Sequence, residues 1–386
     1  MQLIDRYLLK NFLQALAIFF ATFCGLFVVI DAFGNLEEFI SEGERQGGLL
    51  PVLAQYYGVR SLVIFDRTSG VLMLVAVMFT LTSLERHNEL TALMAAGISK
   101  GRLAKPLIIG AVGVSIFALA NREVIIPHFR QQLSRKTEDF RGEKGQPVQA
   151  QYDHRTNVYL SGRSAFLSER RIEKPHFRMP ADLSQYGMQL VADDAVYHDE
   201  KSPTNVAVGG AIPPAGYLLR NVSQPTDLNA RTSLTLDGNP VLLVPGDTPW
   251  LEKNQAFLVS DIPMEQVAGG GAWRRFSSTP EMVQALRSPS TEFGPDVRVA
   301  VHARVVSPLM DITLLFLGLP LVLTRENRNI FVAIGMCLGV VGAFFTVVML
   351  CQWLGNNCII TPAAAAWAPL AVFVPAALIL CEPLRE

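Results

Sequence analysis

A polar, proline-rich segment from about residue 121 to residue 301 separates two groups of uncharged hydrophobic segments. The preceding segments are 11–30, 68–83 and 106–120, and the following ones are 305–324, interrupted only by Asp311, and 330–381. A bilayer core needs about 20 apolar residues in a helix. The last segment is long enough for two crossings, with a turn predicted between Gly355 and Pro362. The pattern predicts six transmembrane helices, arranged three before and three after an inserted domain.

Basic and acidic residues are concentrated in different loops, and this distribution predicts the orientation of the chain in the membrane. The cationic positions are Arg6 and Lys10 at the N-terminus, Arg86, Lys100, Arg102 and Lys105 between helices two and three, and Arg325 and Arg328 between helices four and five. The loop after helix one is instead acidic, with Glu37, Glu38, Glu42 and Glu44 against Arg45. The positive-inside rule then predicts that both termini are cytoplasmic and that the insert lies on the opposite side. The first segment lacks a cleavage site of small residues, so we interpret it as a retained span.

The insert is predicted to be rich in short β-strands. Fifteen of the 23 prolines lie between Pro127 and Pro295, which disfavours long helices. Strands are expected at 157–161, 188–192, 232–236, 241–244 and 257–259, with turns at 209–210, 213–214 and 237–240. This spacing indicates a β-sandwich or jelly roll. One helix is expected near the end of the insert, capped by Thr279, with Pro280 in its first turn and Met282, Val283 and Leu286 on its apolar face.

Little in the insert suggests catalysis or cofactor binding. Its histidines have no metal-ligand spacing, and neither a nucleophile elbow nor a phosphate-binding glycine loop occurs. The five cysteines (Cys24, Cys337, Cys351, Cys358 and Cys381) all lie outside the insert, which must therefore fold without disulfides. We expect no cofactor and no metal. The net charge of −1 gives no indication of nucleic-acid binding, and no nucleic acid is expected among the partners.

The loop between helices two and three contains a predicted amphipathic helix at about 85–98. Its apolar face carries Leu90, Leu93, Met94 and Ile98, and Gly97 is suited to end it. Such a helix can rest on lipid headgroups. It can equally seat in a groove of a soluble partner and transmit force from it. The residues alone leave both alternatives open.

Four stretches carry a family resemblance. The loop reads Arg86-His-Asn-Glu-Leu-Thr-Ala-Leu-Met-Ala-Ala-Gly-Ile-Ser99, and helix three is followed by Asn121-Arg-Glu-Val-Ile-Ile-Pro127. Helix four is preceded by Arg298-Val-Ala-Val-His-Ala-Arg304, and helix six contains Ala364-Ala-Ala-Trp-Ala-Pro369. In order and spacing these resemble LptF/LptG-type permeases, the YjgP/YjgQ family. The likeness is strong in both helical triplets and weak in the insert, where only position and β-character agree.

The resemblance implies a permease subunit of an ABC transporter in the bacterial inner membrane, with its large domain in the periplasm. Such a chain pairs with a second LptF/LptG-type permease, sits on a cytoplasmic ABC ATPase dimer, and passes lipopolysaccharide to LptC/LptA-like bridge proteins. This chain has no P-loop, so ATP hydrolysis is expected on the separate ATPase. The implied domains are 1–126, 127–300 and 301–386. The residues expected to couple to the ATPase are Glu89, Leu90, Leu93, Met94, Gly97, Ile98 and Arg102.

Arginine is suited to lipopolysaccharide phosphates because its planar guanidinium donates two parallel hydrogen bonds. The candidates on the outer side are Arg60, Arg67, Arg122 and Arg130, with Arg60 and Arg67 expected to flank the start of helix two. Ion pairing, for example of Arg67 with Asp66, is the alternative for each. Asp311 in helix four is more readily explained by a hydrogen bond between helices.

Two other classes of protein fit part of the pattern. A polytopic membrane enzyme acting on an envelope lipid would need clustered ionisable groups near the outer leaflet, and only Arg60, Asp66 and Arg67 approach such a cluster. A non-transporting mechanical relay or anchor for envelope machinery is the other alternative. The relay proteins of this kind have four spans with the domain after the first span, unlike the order here.

Overall fold

The chain folds into two compact units in the computed structural model. The described residues are 3–134, 145–179, 189–199, 215–236, 238–268, 271–323 and 330–382. One unit combines Met1–Phe129 with Gly294–Glu386, and the other is Arg130–Phe293. The first unit is helical and the second is rich in β-strands. The predicted fold class, a helical membrane protein with an inserted β-rich region, is confirmed.

Thirteen α-helices are assigned among the described residues. Their bounds are α1 Leu3–Gly34, α2 Leu36–Gln46, α3 Leu49–Arg86, α4 Glu89–Ala95, α5 Lys100–Ala120, α6 Ile126–His128, α7 Arg130–Ser134, α8 Met264–Val267, α9 Gly271–Phe276, α10 Thr279–Arg287, α11 Pro295–Leu323, α12 Ile330–Asn356 and α13 Pro362–Leu380. Within the described ranges, six helical segments are long and apolar enough to cross a membrane, and they lie in α1, α3, α5 with its continuation to His128, α11, α12 and α13. The number and order of spans agree with the sequence pattern.

Helix α3 is much longer than its hydrophobic segment. Its 38 residues correspond to roughly 57 Å at the usual rise per residue, compared with about 30 Å for the hydrocarbon core. The helix therefore extends well beyond the apolar stretch 68–83. Arg60 and Arg67 lie inside α3, so the expectation that they flank its start is wrong. Pro51 lies in the first turn of α3, where proline is compatible with a helix, and the mixed composition of the stretch before residue 68 does not show its helical continuity in the hydropathy pattern.

The core of the helical unit forms around α3. Leu74, Val77 and Leu81 of this helix are fully buried, and they belong to one cluster with Leu8 of α1 and Leu107 of α5. Gly318 of α11 lies directly against Leu74, where a Cβ atom would collide with the leucine side chain. Apolar side chains at helix crossings and a glycine at the closest approach are typical of membrane helix packing.

Helix α5 does not end where the insert was expected to begin. After Ala120 the chain continues through a π-helical turn, Asn121–Ile125, and then into α6. Pro127 lacks an N–H group, so the carbonyl four residues earlier cannot receive its usual helical bond. Asn121 is fully buried and its Nδ2 donates to the carbonyl of Leu62 in α3 at 2.8 Å. The turn is thereby tied to α3.

The described residues of the second unit form eleven antiparallel strands in one connected sheet. The strands are β1 Gln146–Pro147, β2 Gln151–Asp153, β3 Val158–Leu160, β4 Ser164–Phe166, β5 Arg171–Glu173, β6 His176–Arg178, β7 Gln189–His198, β8 Gly216–Gln224, β9 Leu234–Leu236, β10 Asn239–Leu243 and β11 Ala256–Val259. The main path is β1-β4-β5-β7-β8-β11-β10-β9. A branch, β2-β3-β6, joins β7 at its beginning, while β5 pairs with the end of β7.

All five predicted strand positions coincide with strands, namely β3, β7, β9, β10 and β11. The predicted turns at 209–210 and 213–214, and residue 237 of the third, lie outside the described residues. The jelly-roll or sandwich arrangement of the strands stays a prediction. The predicted helix is α10, but its cap is Ser278 and Thr279 is already helical. Ser278 and Glu281 form a reciprocal capping box, which satisfies two backbone N–H groups where Thr279 was expected to satisfy one.

We predict that Gly216→Ala destabilises the second unit. Gly216 begins β8, and a Cβ atom there would collide with the backbone carbonyl of Leu258 in β11. Overpacking of this kind costs about 1–3 kcal/mol. Limited proteolysis of the purified chain should show faster cleavage within residues 130–293. Gly271→Ala is the matched control, since nothing lies within 4 Å of its added methyl group; equal cleavage rates for the two variants would contradict the prediction.

Candidate substrate cavity and partner surface

Two arginines predicted from the sequence, Arg67 and Arg122, are brought together in one cavity of the helical unit. The cavity has a volume of about 260 Å³. Its charged lining residues are Asp66, Arg67, Arg122, Arg304 and Asp311. Three guanidinium groups against two carboxylates give a formal net charge of +1. A positive excess in a recessed site favours an anionic ligand, because partial removal from water strengthens electrostatic attraction.

Asp66 and Arg122 form the clearest ion pair of the cavity. The Nε atom of Arg122 donates to Oδ1 of Asp66 at 2.8 Å, and both side chains are less than one-fifth exposed. The hydrogen-bonded partner of Asp66 is therefore Arg122 and not its neighbour Arg67, which was the alternative suggested by the sequence. Adjacent residues on a helix point in different directions, whereas Arg122 approaches Asp66 from the π-helical turn. The turn thus aims the guanidinium at α3.

The opposite wall of the cavity is formed by α11. Arg304 interacts electrostatically with Asp66, Glu123 and Arg122. Asp311 lies two turns further along α11 and packs against Gly70 of α3, where a Cβ atom would collide with its carboxylate. From the sequence, an intramembrane carboxylate such as Asp311 is a candidate functional residue, but a hydrogen bond between helices was the favoured explanation. Arg304 belongs to the motif before helix four but was not predicted as a site residue. Its position two turns before Asp311, which places both residues on one helix face, is the signal that could have identified it.

The remaining wall of the cavity is apolar. It includes Met310 of α11, Phe344, Phe345 and Val348 of α12, and Pro369 of α13. Charged groups and aromatic or aliphatic side chains are therefore combined in one recess. This combination suits an amphiphilic molecule, whose anionic groups can meet arginine while its apolar part meets the side chains of α12.

The other two predicted arginines do not line this cavity. The guanidinium of Arg60 lies over the ring of Tyr56 at 4.1 Å from the centroid, a cation–π contact one helical turn away on α3. Arg130 belongs to the second unit, where it contacts Glu281 at 3.5 Å and Glu265 at 3.8 Å. Among the described residues, no group of three or more His, Cys, Asp or Glu side chains could hold a metal ion.

The predicted amphipathic helix is α4, which is shorter than the range 85–98. Residues 85–86 belong to α3, and Asn88 breaks the two helices apart with a positive φ of 58°. Gly97 has a φ of 84°, and the N–H groups of Gly97 and Ile98 donate to the carbonyls of Met94 and Leu93. The predicted glycine cap is thus confirmed.

The apolar face of α4 points largely into the chain's own helices. Leu90 is only 6% exposed within the core, and Leu93 and Ile98 are half-buried against it. Leu90 is therefore covered by the chain's own helices, while its predicted part in coupling stays a prediction. Met94 is exposed, as are Thr91, Ala92, Ala95 and Ala96 beside it. The surface open to a partner is this small, weakly polar patch, which we call the α4 outer face.

Two polar contacts tie the loop to α1. Tyr7 donates its hydroxyl to Oε2 of Glu89 at 3.0 Å, and the guanidinium of Arg102 contacts Oδ2 of Asp5 at 3.2 Å. Glu89 and Arg102, both predicted as coupling residues, thus join the first helix to the two ends of the loop.

The comparison with known families agrees with this arrangement. The family model described as lipopolysaccharide export system permease LptF/LptG matches residues 6–166 and 274–382, which is more than half of the chain. The chain belongs to the LptF/LptG family. A search of curated proteins gives no match. The two matched ranges contain five of the six candidate spans among the described residues, all but the first three residues of the other span, α4 and the charged cavity residues. The unmatched stretch lies within the β-rich unit, where the sequence likeness is also weak.

We predict strong coupling between Asp66 and Arg122. Removing one partner of a buried pair leaves an uncompensated charge and costs about 3–5 kcal/mol. Asp66→Ala and Arg122→Ala should each lower the thermal unfolding temperature of the detergent-solubilised chain. The loss of stability in the double variant should be smaller than the sum of the losses in the two single variants. Strictly additive losses would indicate that the two side chains do not interact.

Proposed function

We propose that this chain is the permease subunit of an ABC transporter that extracts lipopolysaccharide from the inner membrane and passes it to a periplasmic bridge toward the outer membrane. ATP hydrolysis on a separate cytoplasmic ATPase dimer drives the step. A second LptF/LptG-type permease chain completes the transmembrane part, and LptC/LptA-like proteins receive the glycolipid. Family membership supports the substrate class, and a permease of this kind is a transport subunit rather than an enzyme.

The proposed orientation has both termini in the cytoplasm and residues 130–293 in the periplasm. The cationic loop residues Arg86, Lys100, Arg102 and Lys105 support it, because such residues are retained on the cytoplasmic side. In this orientation α4 faces the ATPase. The cavity residues near Arg122, at the other end of α5, then lie toward the periplasmic side.

The mixed cavity is the observation that carries the substrate assignment. Lipopolysaccharide has phosphates next to acyl chains, and the cavity has Arg67, Arg122 and Arg304 next to Phe344 and Phe345. Arginine binds phosphate through paired, charge-assisted hydrogen bonds. The Asp66 carboxylate already holds Arg122 in a fixed direction, so less side-chain entropy is lost when a phosphate binds. We propose that the cavity takes a phosphate-bearing part of the glycolipid.

A photocrosslinking amino acid at position 67 should capture lipopolysaccharide in native membranes. Arg67 is exposed and lines the cavity, so its replacement by a larger side chain is tolerated. The matched control is position 124, because Val124 is also exposed and lies in the same π-helical turn as Arg122 but does not line the cavity. Lipopolysaccharide should be captured at position 67 and only bulk phospholipid at position 124. Bulk phospholipid at both positions would reject the cavity as a substrate site.

The α4 outer face is the proposed contact with the ATPase. Met94 supplies an exposed apolar side chain, and Glu89 supplies a carboxylate at the start of the helix. Leu90, Leu93 and Ile98 hold α4 against the membrane helices, so they transmit force rather than contact the partner. Gly97 ends the helix, and Arg102 joins the following helix to α1 through Asp5.

Met94→Glu should abolish co-purification of the ATPase in mild detergent, because it places a charge in the apolar part of the proposed contact. Tyr7→Phe tests the internal role of Glu89, since it removes the hydroxyl that donates to Glu89 and leaves the carboxylate in place. Glu89→Lys should also release the ATPase, whereas Tyr7→Phe should retain it.

Ser61→Glu is the control for the added charge. Ser61 is half-buried on α3 and lies far from α4 along that helix. The Ser61→Glu variant should leave the ATPase bound. Retention of the ATPase by Met94→Glu, measured on a chain that elutes as a single species, would contradict the assignment of the α4 outer face.

A further inference from the structure

We propose that the β-rich unit carries a binding site for a neutral saccharide, in a cavity that is separate from the charged one. This cavity has a volume of about 420 Å³, within the range of roughly 300–1,000 Å³ that is usual for small-molecule sites. The lining residues used below are Gln149, Gln151, Tyr152, His154, Gln266, Trp273, Arg274, Glu292 and Phe293. The proposal goes beyond export itself and does not depend on the ATPase or on the charged cavity.

Three separated parts of the chain are held together to form the cavity. The N–H group of Gln149 donates to the carbonyl of Val267 at 2.8 Å, which joins the region before β2 to α8. The N–H group of His154 donates to the carbonyl of Ser290 at 2.9 Å, which joins the end of β2 to the segment after α10. These backbone bonds fix the walls independently of any ligand, so the cavity is preformed.

The polar groups of the cavity match a ligand with many hydroxyl groups. Three glutamine side chains line it, and each offers both a donor and an acceptor. Gln266 is only 6% exposed, and its Oε1 atom has no hydrogen-bond partner among the described residues. A buried acceptor without a partner is costly, and a hydroxyl group of a ligand would supply the missing donor.

The charges of the cavity disfavour an ionic ligand. Glu292 lies 3.8 Å from Nε2 of His154, and Arg274 lines the same cavity, so carboxylate and cationic groups are both present. A phosphate would meet the carboxylate of Glu292, and a metal cation would meet Arg274. A neutral ligand avoids both repulsions and still accepts hydrogen bonds from Arg274 and donates them to Glu292.

Aromatic rings complete the site. Trp273 and Phe293 stack with an interplanar angle of 12°, which gives a rigid wall. Tyr152 is 42% exposed, and its ring packs edge-to-face against His154. The electron-rich face of an aromatic ring attracts the C–H groups of a pyranose. An exposed tyrosine beside planar amides is therefore the arrangement expected for one or two sugar rings rather than for an acyl chain.

The test measures saccharide binding to the full-length chain in nanodiscs by saturation-transfer NMR. The two probes are a neutral hexose oligosaccharide of the kind found in the outer core of lipopolysaccharide and the neutral disaccharide of two N-acetylglucosamine units. Binding of the first probe would assign the site to the exported glycolipid, and binding of the second to the cell-wall glycan. Absence of binding by both probes would overturn the proposal.

Variants locate the binding. Tyr152→Ala and Gln266→Leu should each weaken binding by about tenfold. Tyr159→Ala is the matched control, because Tyr159 is paired directly with Tyr152 between β2 and β3, is equally exposed at 42%, and does not line the cavity. Equal affinity of the wild type and Tyr152→Ala would overturn the proposal, as would equal losses in Tyr152→Ala and Tyr159→Ala. Because Tyr152 is exposed, its variant remains informative if Gln266→Leu fails to fold.

Discussion

A charged side chain that is removed from water needs an oppositely charged or hydrogen-bonding partner inside the protein, and in this chain α3 carries the clearest example. Asp66 of α3 receives a hydrogen bond from Arg122, and Gly70 one turn later leaves room for Asp311 of α11. The Asp66–Arg122 pair thereby links α3 to the turn after α5, and the contact of Asp311 with Gly70 brings α11 close to α3. The charged cavity lies between these helices, next to both contacts.

The π-helical turn connects this electrostatic arrangement with the chain's path toward the insert. The π-helical turn covers Asn121–Ile125 and is followed by α6 without a break. The wider turn lets Asn121 donate to the carbonyl of Leu62 while Arg122 reaches Asp66. Turns of this type are frequent at functional sites because they re-aim side chains without ending the helix. Here the turn holds two adjacent polar side chains on one neighbouring helix.

The number and order of the spans, and five of the eleven strands described in the insert, were predictable because both follow from local composition. Twenty apolar residues specify a span wherever they occur, and short β-branched runs between prolines specify strands. The pairing of Asp66 with Arg122 was not predictable, since the two residues are 56 positions apart and their approach depends on a helical irregularity. The start of α3 at Leu49 was also not predictable, because a hydropathy pattern identifies the apolar stretch of a helix and not its polar extension.

The loop between α3 and α5 illustrates how one apolar pattern can serve two purposes. Leu90, Leu93, Met94 and Ile98 are equivalent in sequence, yet Leu90 is buried in the core and Met94 is exposed. A helix of seven residues has room for a narrow buried edge and a narrow exposed edge, and periodicity does not tell them apart. Tyr7 and Asp5 of α1 contact residues at both ends of this loop, so α4, α5 and α1 are mechanically joined. The loop is thus held to α1 by a hydrogen bond and an ion pair, in addition to the buried contacts of Leu90.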